Sequence, residues 1–480
     1  QRDWQANPTI LSGDVNQDDT GVGPGWPAGW AVNTPNCGHV VVASGVDRSA
    51  VLDGFIVELG HTGPAGTPST DPLMIGSGLY IIGASPTVRH TIIRHNLAAY
   101  YAGGGVYVRD GSPLFSNCRF ERNYVHLGDG GGLFATGTGA PTLEDCVFVE
   151  NEVVASLDAS GAGVELQNDD PVTIRRCTFD SNINRSFYSV GVTDCWGGGL
   201  DVFWPPTTVI DCVFRGNSAH YGAGIMAWRD TSIINCLFEN NTATVQPRDP
   251  YPESGGEGAA VAVYSFVGAT ATMRNCDILD NHGKKHALVT YANGELDIAN
   301  SIIWGNTATH PEVMGYFRTH IAGSFSLDHS CVQWIFGPAG PGEDSLDPAD
   351  LPGCIDSDPL LAGDRTLLPG SPCIDAGNNA AVPAGVNFDL AGNPRRSDDP
   401  SAPDTGSGSA PIVDMGVYEV AVANSCPADF NNDGQLDFFD VQAFLAAFAV
   451  HDPQADFNAD GLFDFFDVQA FLQAFTIGCP

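Results

Sequence analysis

A short segment recurs six times between residues 113 and 281. In each copy an apolar residue is followed three positions later by a cysteine, and an asparagine follows five positions after that cysteine. The cysteines are Cys118, Cys146, Cys177, Cys212, Cys236 and Cys276, and the asparagines are Asn123, Asn151, Asn182, Asn217, Asn241 and Asn281. The distance between copies varies, so loops of different length must join structural units of one design.

The same phase continues on both sides of the six copies, and each unit carries a glycine cluster before a short apolar strand. The further registers are Gly13, Gly54, Thr91 with Asn96, Ser301 with Asn306, and Ser330, which makes eleven. Strands this short bury a face only when successive coils stack. We therefore predict an all-β chain, a right-handed parallel β-helix of about eleven coils over residues 1–335, with coils ~4.8 Å apart.

The recurring asparagines and the recurring cysteines, each forming a column along the stacked coils, both have a structural interpretation. Asparagine tolerates left-handed turn geometry, and its amide can bond to the copies above and below it. The cysteines alternate with inward Phe and Ile, as small buried apolar residues do. Side chains stacked in parallel have poor geometry for disulfides, so we expect mostly reduced thiols. The chain has 13 cysteines, so at least one stays unpaired within it.

The repeat resembles that of secreted bacterial right-handed β-helix proteins, a family that includes pectate-lyase-like enzymes and many non-enzymatic surface proteins. This resemblance implies a fold far more than a function. Residues 336–423 are similar to the tail segment that often closes such proteins, and we expect a C-terminal cap over the last coil with a loop-rich connection. Cys331, just before this segment, and Cys354, within it, are a candidate disulfide, and Cys373 lacks an obvious partner.

The net charge and the N-terminal sequence indicate which partners and which cellular location to expect. The net charge is −37, from 57 acidic and 20 basic residues, and the only lysines are Lys284 and Lys285. Such a surface repels nucleic acid and anionic membranes and favours cations. The sequence contains no run of about 18 apolar residues, which is the length needed to span a bilayer. The chain begins with Gln1 and lacks a signal-peptide pattern, so we expect a processed, secreted or cell-surface product.

Residues 429–448 and 456–475 are nearly identical. Their oxygen-bearing residues fall at the positions of a calcium-binding loop, with a glycine at position 6. The expected ligands of the first loop are Asp429, Asn431, Asp433, Gln435, Asp437 and Asp440. Those of the second loop are Asp456, Asn458, Asp460, Leu462, Asp464 and Asp467. Leu462 is acceptable because position 7 binds through its main-chain carbonyl, and two Ca²⁺ sites are predicted.

Asp instead of Glu at position 12, with no helix before either loop, makes residues 424–480 resemble dockerin modules, which attach extracellular proteins to cohesin partners. CPADFN and IGCP at its ends are similar to the GC-type variety. The resemblance implies calcium-coupled folding and a cohesin-like or other cell-surface partner. Cys426 and Cys479 bracket the module and are a second candidate disulfide.

Aromatic residues of this module are candidates for the partner surface. Dockerin recognition often uses loop positions 10 and 11, which here are Phe438 and Phe439, and Phe465 and Phe466. We expect one phenylalanine per copy in the core and the other exposed as an anchor. The stripes that should pack the two helices together are Phe438, Val441, Leu445 and Phe448, and Phe465, Val468, Leu472 and Phe475.

One local pattern permits an enzyme. If the glycine-led strands stack in register, Glu165 and Asp201 point outward on adjacent coils, about 5 Å apart by strand spacing, as a retaining glycosidase pair would. The next outward column holds Gln167, Phe203, Trp228, Tyr264 and Tyr291, of which the aromatic members are candidate glycan-binding residues. GHG and R-x-K, the motifs of polygalacturonases, are absent. Asp328-His329 resembles a pectate-lyase segment but has no companion arginine motif.

The sequence thus predicts a secreted, calcium-binding structural, adhesive or docking protein, with a polysaccharide lyase or glycoside hydrolase as the alternative. The N-terminal PTILSGD already has the coil pattern and has little chain before it. An uncapped coil end exposes backbone groups that can pair with another strand. End-to-end self-association into filaments is therefore a further expectation.

Overall fold

The fold is seen in a computed structural model that describes residues 8–15, 36–62, 75–99, 101–155, 158–186, 194–245, 255–310, 319–337, 346–420, 428–431, 435–458 and 462–478. Its strands form three long parallel sheets that wind along one axis, followed by an irregular segment and two helices. The parallel β-helix predicted from the repeat is confirmed.

The first sheet contains the strands that follow the cysteine column. It has eleven strands in chain order, as many as the predicted registers. They are Thr9–Ser12, Phe55–Glu58, Ile92–Arg94, Arg119–Glu121, Val147–Val149, Thr178–Asp180, Val213–Arg215, Leu237–Glu239, Asp277–Leu279, Ile302–Trp304 and Cys331–Val332. The register corrects one assignment: Thr9 pairs with Phe55, so Pro8 rather than Gly13 aligns with Gly54.

The second sheet contains the nine strands that follow the asparagine column. They are His61–Thr62, Leu97–Ala98, Tyr124–His126, Glu152–Ala155, Ile183–Ser186, Ser218–Ala219, Thr242–Ala243, His282–Gly283 and Thr307–Ala308. A residue with left-handed backbone stands two positions before each of these strands, from Leu59 to Gly305.

The third sheet has 18 strands and includes the glycine-led strands. They are Val41–Ser44, Val51–Asp53, Leu79–Ile82, Thr87–Arg89, Val106–Arg109, Leu114–Ser116, Leu133–Gly137, Thr142–Glu144, Val164–Asn168, Val172–Arg175, Leu200–Val202, Thr207–Ile210, Ile225–Ala227, Thr231–Ile234, Val261–Arg274, Leu288–Ala299, Ile321–Ala322 and Phe325–Asp328. Beside it lie two small lateral pairs, Tyr101–Ala102 with Gly128–Asp129 and Ala159–Ser160 with Cys195–Trp196.

The asparagines form a continuous buried ladder. Each side-chain amide donates to the amide oxygen of the asparagine in the next coil at 2.9 to 3.0 Å, from Asn96 through to Asn306. The left-handed residue is the one before each asparagine, such as Glu150 (φ 53°) and Ser181 (φ 56°), not the asparagine itself. The ladder ends on His320, whose Nδ1 lies 3.2 Å from the Asn306 amide nitrogen; burial lowers the pKa of His320 to about 3.

Aromatic and sulfur columns fill the interior. The rings of Phe120, Phe148, Phe179, Phe214 and Phe238 stack with centroids 4.3 to 5.0 Å apart. The six repeat cysteines are free thiols at 0 to 2 % exposure, as expected for a reduced core. The last glycine of four clusters makes room for the ring column, namely Gly132, Gly163, Gly199 and Gly224. A Cβ on Gly199 would lie 3.0 Å from the Phe214 ring and 2.7 Å from the carbonyl oxygen of Gly224.

The segment 346–420 covers more of the side of the β-helix than of its end. Leu351 and Cys354 close the interior, but Leu367, Ile374 and Met415 pack with residues of the first sheet. The segment contains the short 3₁₀ turns Pro348–Asp350 and Asn379–Ala381. Only the beginning of this segment therefore acts as the predicted cap over the last coil.

A buried ion pair locks this segment to the coils. Arg395, 1 % exposed, donates to the Glu419 carboxylate at 2.9 Å and to the side-chain oxygen of Asn235 at 2.9 Å. Because Asn235 belongs to the β-helix, this contact joins residues far apart in the sequence.

The predicted Cys331–Cys354 disulfide is absent. Both residues are free thiols. Cys331 pairs with Ile355 across a parallel bridge, so Cys354 is one residue out of register and its side chain faces the opposite side of the strand. Cys354 accordingly lies in the interior core of the β-helix. Cys331 instead packs with Cys373, which belongs to the segment 346–420. The other candidate pair, Cys426 with Cys479, lies outside the described residues.

The helices Phe438–Ala449 and Phe465–Ile477 form the C-terminal module with the 3₁₀ turn Pro453–Ala455. Among the described residues no helix is long and apolar enough to span a membrane. Thr9–Ser12 is the outermost described strand of the first sheet. Residues 1–7, on which the expected end-to-end association also depends, lie outside the described part, so that association stays a prediction.

Candidate functional site

The first predicted calcium loop leads directly into its helix. Asp437 caps the helix by accepting from the backbone N–H of Phe439 at 2.7 Å. Asp440, at position 12 and fully buried, accepts from Asn431 N–H at 3.2 Å and from Asp437 N–H at 2.8 Å. The last ligand position is thus folded back onto the third, as closure of a ligand ring around a cation requires.

The second loop repeats this arrangement bond for bond. Asp464 accepts from Phe466 N–H at 2.8 Å, and Asp467 accepts from Asn458 N–H at 3.2 Å and Asp464 N–H at 2.9 Å. The backbone donors, Asp464 first, hold the pKa of Asp467 below its ordinary value, so its carboxylate is ionised. Carboxylate oxygens such as these are hard donors and fit Ca²⁺. Asp433 and Asp460 lie outside the described residues.

The core of the module differs from the predicted stripes. Phe444 and Phe471 are fully buried, and their rings stack 4.1 Å apart with an angle of 1° between their planes. Val441, Phe448, Val468 and Phe475 are partly buried against them. Leu445 and Leu472, placed in the stripes from the sequence, are 50 % and 46 % exposed. The buried face is therefore rotated by about one residue from the predicted one.

All four phenylalanines at the helix starts are exposed. Phe438 and Phe465 are each 72 % exposed, and Phe439 and Phe466 are 61 % and 60 % exposed. The expectation that one of each pair belongs to the core is wrong. Helix caps at Asp437 and Asp464 fix both members of each pair on the first turn, where neither reaches the Phe444–Phe471 stack. The module therefore presents two equivalent aromatic pairs to solvent.

The carboxylates proposed for catalysis are adjacent but inaccessible. Glu165 and Asp201 are opposite each other in neighbouring strands, as predicted, yet both are 0 % exposed. Asp129 from the lateral pair lies close enough to raise their pKa values further. Among the described residues, one oxygen of Glu165 has no hydrogen-bond partner. A polymer cannot reach this pair, so the retaining glycosidase arrangement is wrong for it.

The glycines explain this burial. Gly161 and Gly197 have φ of 58° and 63°, and a Cβ on either would lie 2.7 to 2.8 Å from the Cβ of Glu165 or Asp201. The chain before each glycine therefore turns across the outward column. The residues in front of the glycines, Asp129, Ser160 and Trp196, form a second layer over it.

This burial predicts a pH dependence of stability. Burial first, and then the charge of Asp201 or Asp129, raises the pKa of Glu165 and Asp201 well above ordinary values. A raised pKa in the folded state makes the protein most stable below the unfolded pKa and less stable as pH rises through the folded pKa. Glu165→Gln with Asp201→Asn should remove that loss. By chemical denaturation, the stability of the variant relative to the wild type should improve by at least ~1.4 kcal/mol between pH 5 and pH 8.

The control is Asp169→Asn with Glu295→Gln, two exposed carboxylates whose loss should leave the pH profile close to that of the wild type. A difference between buried variant and wild type that is equal at pH 5 and pH 8 would contradict the interpretation.

The predicted aromatic column exists. Ring centroids are 5.5 Å apart for Phe203 and Trp228, 5.0 Å for Trp228 and Tyr264, and 6.1 Å for Tyr264 and Tyr291. All four rings are partly buried, and the exposed Phe266 packs on Tyr264. Gln167, in the same column, donates to Glu165 at 3.1 Å and so serves the buried carboxylate.

Residues beside this column were not predicted. Trp196 stacks on Tyr221 at 4.6 Å, and Glu257 bonds to the Tyr291 hydroxyl and to Lys285, the latter at 2.8 Å. Trp196, Tyr221 and Glu257 each stand directly before a glycine with left-handed backbone. That position was available in the sequence as the signal for the lateral layer.

The comparisons with known proteins agree with the fold and add no activity. Residues 73–195 match the family described as Right handed beta helix region. This stretch is thus a right-handed β-helix region, with stacked parallel sheets. No match to a curated protein was found.

Proposed function

We propose that this protein is a secreted, calcium-binding extracellular component whose β-helix carries a dockerin-like module for docking onto a protein partner, such as a cohesin-like domain. The observation that carries the proposal is the pair of aromatic sites at the helix starts, Phe438 with Phe439 and Phe465 with Phe466, each residue at least 60 % exposed. Exposed aromatic clusters on soluble proteins mark interaction surfaces.

The calcium loops support this proposal through position. Phe438 and Phe439 directly follow Asp437, and Asp440 follows them, so the aromatic pair lies between two expected ligands of one ion. The same holds for the second pair. Binding of Ca²⁺ would fix the first helical turn and with it the direction of both rings. Docking should therefore depend on calcium.

The geometry argues against the alternative of a lyase or hydrolase acting through Glu165 and Asp201, because both are buried. Glycan binding is the second candidate function, and the row Phe203, Trp228, Tyr264 and Tyr291 favours it. Aromatic rings spaced 5 to 6 Å apart form a platform on which sugar rings can stack.

Glycan binding is tested by affinity electrophoresis in gels containing acidic or neutral polysaccharides. We expect at least one polysaccharide to slow the protein, and Trp228→Ala to weaken the interaction about tenfold, because the indole lies between the rings of Phe203 and Tyr264. Equal mobility with and without every polysaccharide would contradict this second function.

Docking is tested by capture from the secreted and cell-surface fractions of the source organism on immobilised full-length protein. Capture should require calcium, and the captured protein, once purified, should bind directly. A variant with Phe438, Phe439, Phe465 and Phe466 all changed to serine should bind at least 100-fold more weakly, since four anchors together should contribute at least about 3 kcal/mol.

The matched control is Phe266→Ser with Phe336→Ser, two exposed phenylalanines of the β-helix at 73 % and 45 % exposure. It should bind as the wild type does. Equal binding of the purified partner to the wild type and to the fourfold variant would overturn the docking proposal.

A further inference from the structure

Three aspartates of the segment 346–420, none of which belongs to the two predicted calcium loops, come together. Asp375 lies in the sequence CIDAG, and Asp398 and Asp404 belong to the later stretch SDDPSAPDTG. One carboxylate oxygen of each lies within 4.8 Å of an oxygen of both others. Asp375 is fully buried, whereas Asp398 and Asp404 reach solvent.

The buried member has an oxygen without a donor. Oδ1 of Asp375 is inaccessible and has no hydrogen-bond partner within the part of the chain that the structure describes. Its other oxygen accepts a long bond from Asp399 N–H, at 3.3 Å. A buried carboxylate oxygen without a partner is unfavourable, because its lost hydration is not replaced, so its persistence requires compensation from a proton or a cation.

The charges around Asp375 favour a cation. Asp414, Asp398 and Asp404 act on it, and all three are acidic. A divalent cation would satisfy the orphan oxygen and also remove the repulsion among the three carboxylates.

The backbone holds the two segments in this position. Thr405 and Gly406 donate their N–H groups to the carbonyl oxygen of Asp375 at 2.9 and 3.0 Å, and Ser407 donates to Gly377 at 2.8 Å. The N–H of Asp375 donates to Asp414 at 2.7 Å. The carboxylates thus converge from segments that are already bonded together.

We propose that Asp375, Asp398 and Asp404 bind a third Ca²⁺ ion, which joins the 398–404 stretch to the chain around Asp375 within the segment 346–420. Ca²⁺ suits a set of carboxylate oxygens, because it prefers hard oxygen ligands and accepts six to eight of them in flexible geometry. Nitrogen and sulfur ligands, which zinc and copper prefer, do not belong to this group. Water can complete the coordination on the side of Asp398 and Asp404, which are exposed.

The test counts bound calcium by equilibrium dialysis of the full-length protein with radioactive Ca²⁺ at physiological ionic strength. Asp398→Asn with Asp404→Asn should bind one ion fewer per chain than the wild type. Because both side chains are exposed, the fold should persist, which circular dichroism verifies. The predicted difference of one ion is the same whether or not the C-terminal loops are occupied, so failure here is distinguishable from failure of the proposed docking function.

A charge-matched control separates a site from general attraction to an acidic surface. Asp358→Asn with Asp364→Asn removes two exposed carboxylates outside the cluster and should leave the count unchanged. As an independent readout, calcium should slow hydrogen exchange at Thr405 and Gly406 in the wild type but not in Asp375→Asn. Equal calcium counts for the wild type and the Asp398/Asp404 variant would overturn the proposal.

Discussion

Asn182→Ala is expected to reduce the free energy of unfolding by about 3–5 kcal/mol. The Asn182 side chain accepts from Asn151, through backbone N–H at 3.1 Å and side-chain amide at 3.0 Å. It donates to Phe148 O and to Asn217 at 2.9 Å each. Alanine leaves several of these buried groups without partners and creates a cavity in a fully buried column.

Denaturant unfolding followed by circular dichroism measures this effect. Hydrogen exchange in neighbouring coils complements it, since repeat proteins can open locally. Asn293→Ala is the control, because Asn293 is exposed and makes one side-chain bond, to Phe266 O at 3.0 Å; its cost should stay below ~1 kcal/mol. An Asn182 variant within 1 kcal/mol of the wild type would show that the ladder is not a main source of stability.

Calcium removal is expected to unfold the two C-terminal helices while the β-helix stays folded. Within the described residues, the module buries only Ala428, Phe444, Ala455 and Phe471 as a hydrophobic core. Helices of 12 and 13 residues are marginal alone. At a calcium concentration 100 times Kd, each ion adds about 2.7 kcal/mol of stability. Two ions therefore supply much of what so small a core lacks.

Hydrogen exchange with and without chelator provides the measurement. Amides of residues 438–477 should lose at least 100-fold protection in chelator, and amides of the first sheet should change little. In calcium, Asp440→Asn with Asp467→Asn should reproduce the chelated state. Asp452→Asn should not, because Asp452 belongs to the module but is not an expected ligand; its carboxylate accepts from Gln454 N–H at 3.0 Å. Helices that stay protected in chelator would rule out calcium-coupled folding.

The repeat predicted the β-helix well because each recurring residue type has one physical cause that acts locally. Asparagine recurs where an amide bonds to its copies, as in the step from Asn151 to Asn182, and glycine recurs where a Cβ would strike a ring, as at Gly199. The layer formed by Asp129, Ser160 and Trp196 over the outward column was not predicted. Its position depends on where loops of unequal length rejoin the β-helix. Glu165 and Asp201 were placed in the right strands and register, yet segments from other coils cover them.

The module was harder to predict in detail. Spacing alone indicated the helices and the ligand positions, but both Phe438 and Phe444 fit an apolar face at helical period. The cap at Asp437 decides between them, since it fixes where the helix begins. Asp375, Asp398 and Asp404 gave no spacing signal, because the ligand group is assembled from irregular chain held by backbone bonds.

The most direct test of the proposed calcium-organised docking module is the number of calcium ions that depend on its two loops. Equilibrium dialysis should show that the full-length wild type binds two more Ca²⁺ ions than Asp440→Asn with Asp467→Asn, whatever is bound elsewhere on the chain. Identical calcium counts for these two proteins would contradict the account, since the exposed phenylalanine pairs would then have no metal to fix them.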